Sequence, residues 1–357
     1  MKNNWQTKKL GEVCEVLDKK RKPITQRDRI PGKYPYYGAT GILDYVHEYI
    51  FDEKLILIGE DGAKWGSGEN TAFIAEGKYW VNNHAHVIRP NRSKVLDNWI
   101  VYFLNFSDLS KYVTGLTVPK LNQAKMRDIT FPLPPLPEQK RIVKVLDEVF
   151  EGVATAKENA EKNLANAREL FESYLQSVFA NPGAGWEEKT LGAIIKLEYG
   201  KPLPDEKRNP NGKYPVYGAN GEKDRTNEYY HNKKSIIVGR KGSAGEINFS
   251  ENKFWPLDVT YFVTFDDKKY DLNFIYYILD NLKLTKLAKG VKPGINRNEV
   301  YSIEVQIPSL SEQRAIVAKL DALSAETKKL EAIYQQKLAD LDELKKSVLK
   351  KAFNGEL

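Results

Sequence analysis

Residues that could do catalytic or metal chemistry are sparse in this sequence. His84 and His86 lie two residues apart in a run typical of a β-strand, where both would project from one face and could bind a metal ion. No third ligand is evident near them, so we expect no metal site. The sequence also lacks a Walker A loop, an HExxH or Cys-x-x-Cys spacing, and the Asn-Pro-Pro-Tyr or Asp-Pro-Pro-Tyr element of amino-methyltransferases. We therefore expect no catalytic residues and no cofactor bound by this chain.

Basic, amide and aromatic residues instead recur in loops of both halves of the sequence. Arg and Lys side chains bind phosphates or guanine, and Asn and Gln side chains bind adenine. Any one of these residues could equally be a solvated loop residue, but their recurrence at matched places favours a DNA-binding surface. The candidate DNA contacts are Tyr36, Tyr37, Lys64, Trp65, Asn83, His84, Lys120, Asn122, Lys125, Tyr217, Asn220, Arg240, Lys241, Lys292, Asn296 and Arg297.

The loops recur because the whole sequence is an internal repeat. KYPYYGATGI at 33–42 matches KYPVYGANGE at 213–222. LILIG, which ends at Gly59, matches SIIVG, which ends at Gly239. These five-residue runs are typical of buried strands that lead into a tight turn. A short helix is also predicted in each half, at 98–110 and at 272–287.

A long helix is predicted after each β-rich half, at 138–179 and at 312–353, with a constant offset of 174 residues. Apolar residues recur at steps of three and four, which is typical of a coiled-coil seam. Pro137 suits a first helical turn, and Ser309 has the spacing of a capping box with Glu312. The predicted seam consists of Ile142, Leu146, Val149, Val153, Leu164, Leu170, Ile316, Leu320, Leu323, Leu330, Tyr334, Leu341 and Leu344.

The order of the elements predicts how the helices run. The first helix leaves the first β-rich unit and enters the second, so by the repeat the second helix should return to the first unit. The helices must then be antiparallel. The predicted fold is α+β, with two pseudo-repeated, mostly β domains, two long antiparallel helices forming a coiled coil, and a pseudo-two-fold circular organisation. The predicted boundaries are 1–134 and 182–308 for the domains, and 135–181 and 309–357 for the helices.

Composition sets broader limits. The 357 residues include 55 basic and 48 acidic side chains, and the net charge of +7 is a moderate bias toward a polyanionic partner. The single cysteine, Cys14, excludes an internal disulfide and fits a reducing compartment. No apolar run approaches the ~20 residues that span a bilayer, and no signal peptide is evident. We therefore expect a cytoplasmic protein that does not enter a membrane.

Four features together resemble the specificity subunits of Type I restriction–modification systems. These are the doubled P-x-L-x-E-Q element at 134–139 and 308–313, the long helix after each copy, the doubled Tyr-Pro-x-Tyr-Gly-Ala at 34–39 and 214–219, and the Phe-Asn-Gly-Glu-Leu run at 353–357. The resemblance covers essentially the full length, and the ensemble is specific although no single motif is.

The resemblance implies a target-recognition domain in each half, each reading one half of a bipartite DNA sequence. It also implies that the coiled coil spaces the half-sites and docks two methyltransferase subunits, which methylate adenine N6 from S-adenosylmethionine, and that restriction subunits complete the nuclease. The loop after Gly59 begins with Glu60 and Asp61, whereas the loop after Gly239 begins with Arg240 and Lys241. We therefore predict two different half-sites and an asymmetric target.

Three alternatives stay open at this point. The chain could be a non-catalytic architectural protein that binds DNA without base preference, which a shift assay against mixed competitor DNA would reveal. It could be a self-contained nuclease or methyltransferase, in which case the purified chain would cut or modify DNA. It could also serve a methylase that has no nuclease partner.

Overall fold

The computed structural model of the chain describes residues 5–115 and 117–357. It divides into two compact units. The first runs to Glu161 and also contains Gln335–Leu357, and the second is Lys162–Tyr334. Each unit therefore combines one β-rich repeat with parts of both long helices. We refer to residues 5–134 as domain 1 and to residues 182–308 as domain 2.

Domain 1 contains two four-stranded sheets and one two-stranded sheet, with the strand orders β2-β9-β6-β7, β4-β3-β8-β5 and β1-β10. Its elements in chain order are β1 (Gln6–Lys9), α1 (Leu10–Val13), β2 (Cys14–Val16), β3 (Pro31–Gly38), β4 (Gly41–Val46), β5 (Phe51–Asp52), β6 (Leu55–Gly59), β7 (Ala72–Ala75), β8 (Lys78–Val81), β9 (Ala85–Pro90), α2 (Asp97–Phe106), α3 (Gln123–Arg127) and β10 (Thr130–Leu133), after which the long helix α4 (Leu136–Ala180) begins.

Domain 2 repeats this topology, with the strand orders β12-β18-β15-β16, β14-β13-β17 and β11-β19. Its elements are β11 (Glu187–Thr190), α5 (Leu191–Ile194), β12 (Ile195–Tyr199), β13 (Tyr214–Gly218), β14 (Gly221–Thr226), β15 (Ser235–Gly239), β16 (Ile247–Ser250), β17 (Trp255–Pro256), β18 (Thr260–Phe265), α6 (Leu272–Leu282), α7 (Arg297–Tyr301) and β19 (Glu304–Ile307), followed by the long helix α8 (Leu310–Asn354). The matching strand orders confirm the internal repeat.

The central strands β6 and β15 are buried on both faces, which is why their sequences are continuously apolar rather than alternating. Each ends at a glycine that a larger residue could not replace. A Cβ at Gly239 would lie 2.1 Å from the carbonyl oxygen of Ser243, and one at Gly59 would lie 2.3 Å from the Cβ of Ala63. Three residues later, Gly62 and Gly242 have φ of 68° and 81°. The predicted tight turns are therefore present, and they aim the two following loops alike.

The glutamine of each P-x-L-x-E-Q element ties a long helix to its domain. Gln139 is fully buried, accepts a hydrogen bond from the N–H of Leu96 (2.9 Å), and donates to the carbonyls of Lys94 (3.0 Å) and Pro134 (2.8 Å). Gln313 makes the matching bonds to Asp271, Lys269 and Pro308. The motif therefore holds the segment before α2 or α6 against the start of a long helix.

In the first unit, the beginning of α4 packs against the end of α8. Ile142 and Leu146 share an apolar cluster with Leu349. Farther along α4, Lys157 forms an ion pair with Asp342. Because the partner on α8 comes earlier in the sequence as α4 advances, the helices are antiparallel. Phe353 meets Trp99 of α2 with ring centroids 5.0 Å apart, which confirms that the second long helix returns to domain 1.

In the second unit, the end of α4 packs against the beginning of α8 in the same sense. Arg168 pairs with Glu331 (2.9 Å), and Leu175 shares an apolar cluster with Val317 and Leu320. Phe179 meets Phe274 of α6 with ring centroids 5.7 Å apart, which matches the contact of Phe353 in the first unit.

Most of the predicted seam is buried or half-buried, but three of its residues are not. The inward-facing members are Ile142, Leu146, Val149, Val153, Leu164, Ile316, Leu320, Leu323, Tyr334 and Leu341. Leu170, Leu330 and Leu344 are 51%, 38% and 45% exposed, so assigning them to the seam was wrong.

Charged side chains contribute contacts beside two of the exposed leucines. After buried Thr327 the seam steps by four residues to Glu331, which binds Arg168. Lys345 places its ammonium 5.0 Å from the ring centroid of Phe150. A long aliphatic stem with a charged end can cover apolar surface, which an apolar-only reading of the sequence misses.

The predicted short helices are present as α2 and α6, but both end earlier than predicted. Ser107 is extended after α2, and Lys283 adopts a left-handed conformation (φ 49°) after α6, so that only single 3-10 turns follow. Ser309 accepts a hydrogen bond from the N–H of Glu312 (3.4 Å), as the capping-box spacing predicts. Among the described residues, no helix combines the length and apolar character needed to cross a membrane.

Candidate nucleic-acid interface

Three loops converge beyond the central strand of each domain, and the same backbone hydrogen bonds hold them. In domain 1, the N–H of Glu60 donates to the carbonyl of His84 (2.9 Å), and the N–H of Leu121 donates to that of Glu60 (2.8 Å). In domain 2, the N–H of Arg240 donates to Val259 (2.8 Å), and that of Ile295 donates to Arg240 (3.1 Å). Glu60 and Arg240 therefore occupy equivalent positions.

This shared backbone brings four side-chain positions together in each domain. His86 lies opposite Ile58 in the strand register, as Tyr261 lies opposite Val238, and Gln123 begins α3 as Arg297 begins α7. The four matched positions, as we call them, are Asp18, Glu60, His86 and Gln123 in domain 1, and Tyr199, Arg240, Tyr261 and Arg297 in domain 2.

The matched positions of domain 1 form a closed polar network. A carboxylate oxygen of Asp18 lies 2.6 Å from Nδ1 of His86 and accepts a hydrogen bond from Nε2 of Gln123 (2.9 Å). The carboxylate of Glu60 accepts hydrogen bonds from Nη1 of Arg21 (2.5 Å) and Nζ of Lys120 (2.9 Å). Each buried negative charge therefore already has a cationic partner within the domain.

Electrostatics agree with this pairing. Burial alone would raise the pKa of the Asp18 carboxyl, but the hydrogen bond and charge of His86, together with Gln123 and the N–H of Val87, lower that pKa below its ordinary value. The hydrogen bond to Glu60 raises the pKa of the Lys120 ammonium. Asp18 and Lys120 are therefore held in their charged forms.

Asp18, Glu60 and His86 are also the kinds of residue that bind metal ions, with ligand atoms within 4.8 Å of one another. Their polar atoms already have partners within the domain, however. Nε2 of His86 faces the carbonyl of Leu121 (2.7 Å), and Arg21 donates to Glu60 from the position a cation would need. The guanidinium supplies the positive charge, so the donor set does not fit a metal ion, and we assign none.

The matched positions of domain 2 carry opposite chemistry. Tyr199 is 46% exposed, and two guanidinium groups approach its ring, with the Cζ atoms of Arg240 and Arg297 at 5.4 and 5.2 Å from the ring centroid. Tyr261 packs edge-on against it at 5.1 Å, and burial, followed by the contact with Tyr199, raises the pKa of Tyr261 to about 12. This surface is cationic and aromatic, whereas that of domain 1 is acidic and self-paired.

Several predicted DNA contacts lie where they could reach a ligand. The exposed members are Lys64, Asn83, His84, Lys125, Asn220, Lys241, Lys292 and Asn296. His84 shares a hydrogen bond with Asp61, and the carbonyl of Asn83 accepts from Arg21, so both border the domain 1 network. Lys120 is itself part of that network, and Arg240 and Arg297 lie in the domain 2 cluster.

Other predicted contacts are occupied by the fold. Tyr36 is 1% exposed and its hydroxyl accepts from the N–H of Ile24 (3.0 Å), and Trp65 is 9% exposed and donates to the carbonyl of Gly59 (3.1 Å). These two rings cannot stack on a base without leaving the core, so we withdraw them as DNA contacts.

Four of the aromatic and amide candidates, including the exposed Asn296, also have internal partners. Tyr37 and Tyr217 are half-buried against Phe73 (5.6 Å) and Phe254 (5.7 Å). The side chains of Asn122 and Asn296 cap α3 and α7, accepting hydrogen bonds from the backbone N–H of Lys125 and Asn298, both at 2.9 Å. The two asparagines therefore set the positions of Gln123 and Arg297.

Sequence reasoning missed Asp18, Arg21, Tyr199 and Tyr261. A signal existed for the two tyrosines, because both lie at the ends of predictable strands that face the loop after Gly239. The pairing of Asp18 with Tyr199 required the strand register, since the residues around them are dissimilar.

Comparisons with known proteins agree with this repeated architecture. The model of the Type I restriction modification DNA specificity domain matches residues 2–165 and 183–338. A protein of Haemophilus influenzae, provisionally named a type I restriction enzyme specificity subunit, is 27% identical over 335 residues, covering 88% of this chain and 86% of the relative.

Two solved structures share the fold. A chain from a study of assembly and conformational transition in the type I R-M system has a TM-score of 0.76 at 20% identity, covering 99% of this chain and 98% of that one. The HsdS subunit of Thermoanaerobacter tengcongensis has a TM-score of 0.64 at 19% identity, covering 100% and 98%. The chain therefore belongs to the Type I restriction–modification DNA specificity family, the non-catalytic DNA-recognition subunits of these systems.

Proposed function

We propose that domains 1 and 2 are target-recognition domains, each contacting one half of a bipartite double-stranded DNA sequence, and that the two halves differ. The observation that carries this proposal is the exchange at the four matched positions, from Asp, Glu, His and Gln to Tyr, Arg, Tyr and Arg. Base edges and phosphates are read by complementary donors and acceptors. The two domains share one backbone arrangement but carry opposite side-chain chemistry at these positions. This favours two different half-sites and an asymmetric target.

We further propose that α4 and α8 set the separation of the half-sites. Each helix has 45 residues, which at about 1.5 Å per residue gives a length of ~68 Å, against about 34 Å for one turn of DNA. This length suits two short half-sites separated by an unread spacer. In this proposal, 1–134 and 182–308 are the target-recognition domains, and 135–181 and 309–357 are the spacer helices.

The outer faces of the long helices are the proposed docking surface for two methyltransferase subunits, to which restriction subunits are added in the full complex. Those faces are charged and exposed over most of both helices. The proposed reaction of the complex is methylation of adenine N6 from S-adenosylmethionine bound by the methyltransferase, in the cytoplasm, while this chain supplies DNA recognition.

Mapping N6-methyladenine across DNA from cells that carry this chain with its methyltransferase tests the proposal. We expect one motif made of two different short sequences and a spacer of constant length, and we expect its loss when the chain is deleted. A palindromic motif would contradict the asymmetry. Equal binding of the complex to target and mixed competitor DNA would instead favour an architectural scaffold without base preference.

A further inference from the structure

Two guanidinium groups beside one tyrosine ring distinguish domain 2 from domain 1. Arg240 begins the loop after β15, and Arg297 begins α7, so two separate segments deliver their side chains to the exposed ring of Tyr199. Attraction between cations and the face of an aromatic ring holds each guanidinium in place. Two positive charges therefore share one aromatic ring at the protein surface.

These charges are not neutralised within the protein. Among the described residues, no carboxylate lies within ion-pair distance of either Arg240 or Arg297. Arg240 donates from Nε and Nη2 to the carbonyl of Asp258 (3.0 and 2.7 Å), which fixes its orientation and leaves its charge uncompensated. Lys241, the next residue, is exposed. Like charges that share one ring repel each other, so a bound anion would stabilise this arrangement.

The equivalent positions in domain 1 carry no such pair of guanidinium groups. Asp18 and Glu60 occupy the places of Tyr199 and Arg240, and their charges are matched by His86, Arg21 and Lys120. Gln123, in the place of Arg297, donates to Asp18. A phosphate approaching these positions would meet two buried carboxylates.

We propose that Arg240 and Arg297, with Tyr199 as a positioning residue, bind a single backbone phosphate of the half-site contacted by domain 2, and that domain 1 has no such clamp at its matched positions. The inference rests on the proposed function, in which domain 2 contacts DNA. Two guanidiniums on one ring suit a phosphate, whose oxygens accept several charge-assisted hydrogen bonds, whereas one bidentate arginine is the usual contact to a guanine edge.

The test measures binding of the full chain, assembled with its methyltransferase subunits, to a duplex carrying the motif mapped in vivo. Arg240→Gln and Arg297→Gln introduce a side chain like that of Gln123 and should each weaken binding about tenfold. The double variant should lower the slope of log K against log salt concentration by about 1, with unchanged base preference. Lys268→Gln, which removes an exposed charge beyond the opposite end of β18, is the matched control and should leave the slope unchanged.

The role of Tyr199 is tested by two substitutions. Tyr199→Leu removes the ring and should weaken binding several-fold. Tyr199→Phe keeps the ring without the hydroxyl and should restore wild-type affinity and salt slope. Equal losses in the two variants would contradict positioning by the ring.

A measurement on the wild-type protein keeps the proposal testable if the variants fold poorly. The target duplex should protect Arg240 and Arg297 from modification by phenylglyoxal, as read by mass spectrometry, and unchanged modification would overturn the clamp. Relaxed base preference with an unchanged salt slope would also overturn it, because that result assigns the arginines to base readout. If the wild-type complex does not prefer its mapped motif over a scrambled duplex, the proposed function itself fails.

Discussion

Asp18 is the centre of the domain 1 network, and its charge depends on its neighbours. Its side chain is 5% exposed, and its two oxygens face His86, Gln123 and the N–H of Val87. A buried carboxylate without partners would favour its neutral form. Here the partners lower its pKa, so folding stabilises the ionised form and gains stability from it.

We predict that Asp18→Asn destabilises domain 1 by about 3 kcal/mol or more at pH 7, because an amide presents N–H donors to other donors and leaves buried cations unmatched. The folded-state pKa of Asp18 lies below the unfolded value of about 4, so its contribution is present above pH 4 and is lost as the pH falls through the folded-state pKa. The difference between wild type and variant should therefore shrink at acidic pH. Hydrogen exchange of the amides in β9, which include Val87, measures this stability difference between wild type and variant.

Asp128→Asn is the matched control for Asp18. Lys9 also lowers the pKa of Asp128, but both side chains are about half exposed and solvent screens the pair. Asp128→Asn should therefore have little effect on amide hydrogen exchange in domain 1. Equal effects of the two substitutions, or a difference that persists unchanged at acidic pH, would show that Asp18 does not act through its buried charge.

At the residue scale, the sequence predicted the positions of the loops more accurately than the contacts of individual side chains. The matched glycines located the loops, and exposed lysines such as Lys64 and Lys241 lie on them. Whether an aromatic ring is core or surface depends on how the chain folds back on it, as Trp65 shows by donating to the carbonyl of Gly59 before its own loop. The network of Asp18 was beyond reach because Gln123 is 105 residues away.

At the scale of elements, the buried glutamines explain why the P-x-L-x-E-Q element occurs twice. Gln139→Leu would leave one buried N–H and two carbonyls without their partner. We predict a loss of about 3 kcal/mol and a fall in Tm of several degrees, measured by thermal unfolding. Gln313→Leu should act alike in the second unit. Gln176→Leu, on an exposed face of α4, should change stability by no more than about 0.5 kcal/mol.

The revised seam of α8 gives a second prediction at this scale. Leu320 is fully buried, whereas Leu330 is 38% exposed, and both lie in the second unit. Leu320→Asp should cost several kcal/mol because it buries an unpaired charge, while Leu330→Asp should cost less than about 1 kcal/mol. Thermal unfolding and assembly with the methyltransferase should both separate the two variants. A larger effect at Leu330 would restore the seam predicted from apolar spacing alone.

Long elements were predictable because many residues agree on one period. The constant offset of 174 residues and the steps of three and four located both long helices to within two residues at each end. The predicted coiled-coil seam was wrong at positions where a single residue determines which side chain faces the partner helix. Glu331 is half-buried where it pairs with Arg168, and Lys345 lies over the ring of Phe150, and such partners are visible only in the folded unit.

At the scale of the whole molecule, the two domains share a frame and differ in surface. The same strand orders and the same hydrogen bonds around Glu60 and Arg240 aim the loops alike in each domain. The side chains at the matched positions therefore differ between the domains without altering how the loops are held. The proposed function assigns sequence preference to the loops and half-site separation to α4 and α8, so the two properties should change independently.

Duplicating seven residues in each long helix, 155–161 in α4 and 328–334 in α8, tests this independence. Seven residues are two helical turns, so the seam continues, and each helix lengthens by about 10 Å at about 1.5 Å per residue. At 3.4 Å per base pair, the spacer in the methylated motif should lengthen by at least one and at most about three base pairs, while both half-site sequences stay the same. Mapping N6-methyladenine measures this. As a control, a seven-residue insertion after Asn252, in the loop between β16 and β17, should leave the spacer of the methylated motif unchanged. A stable double insertion that keeps the original spacer would show that the helix pair does not set the separation.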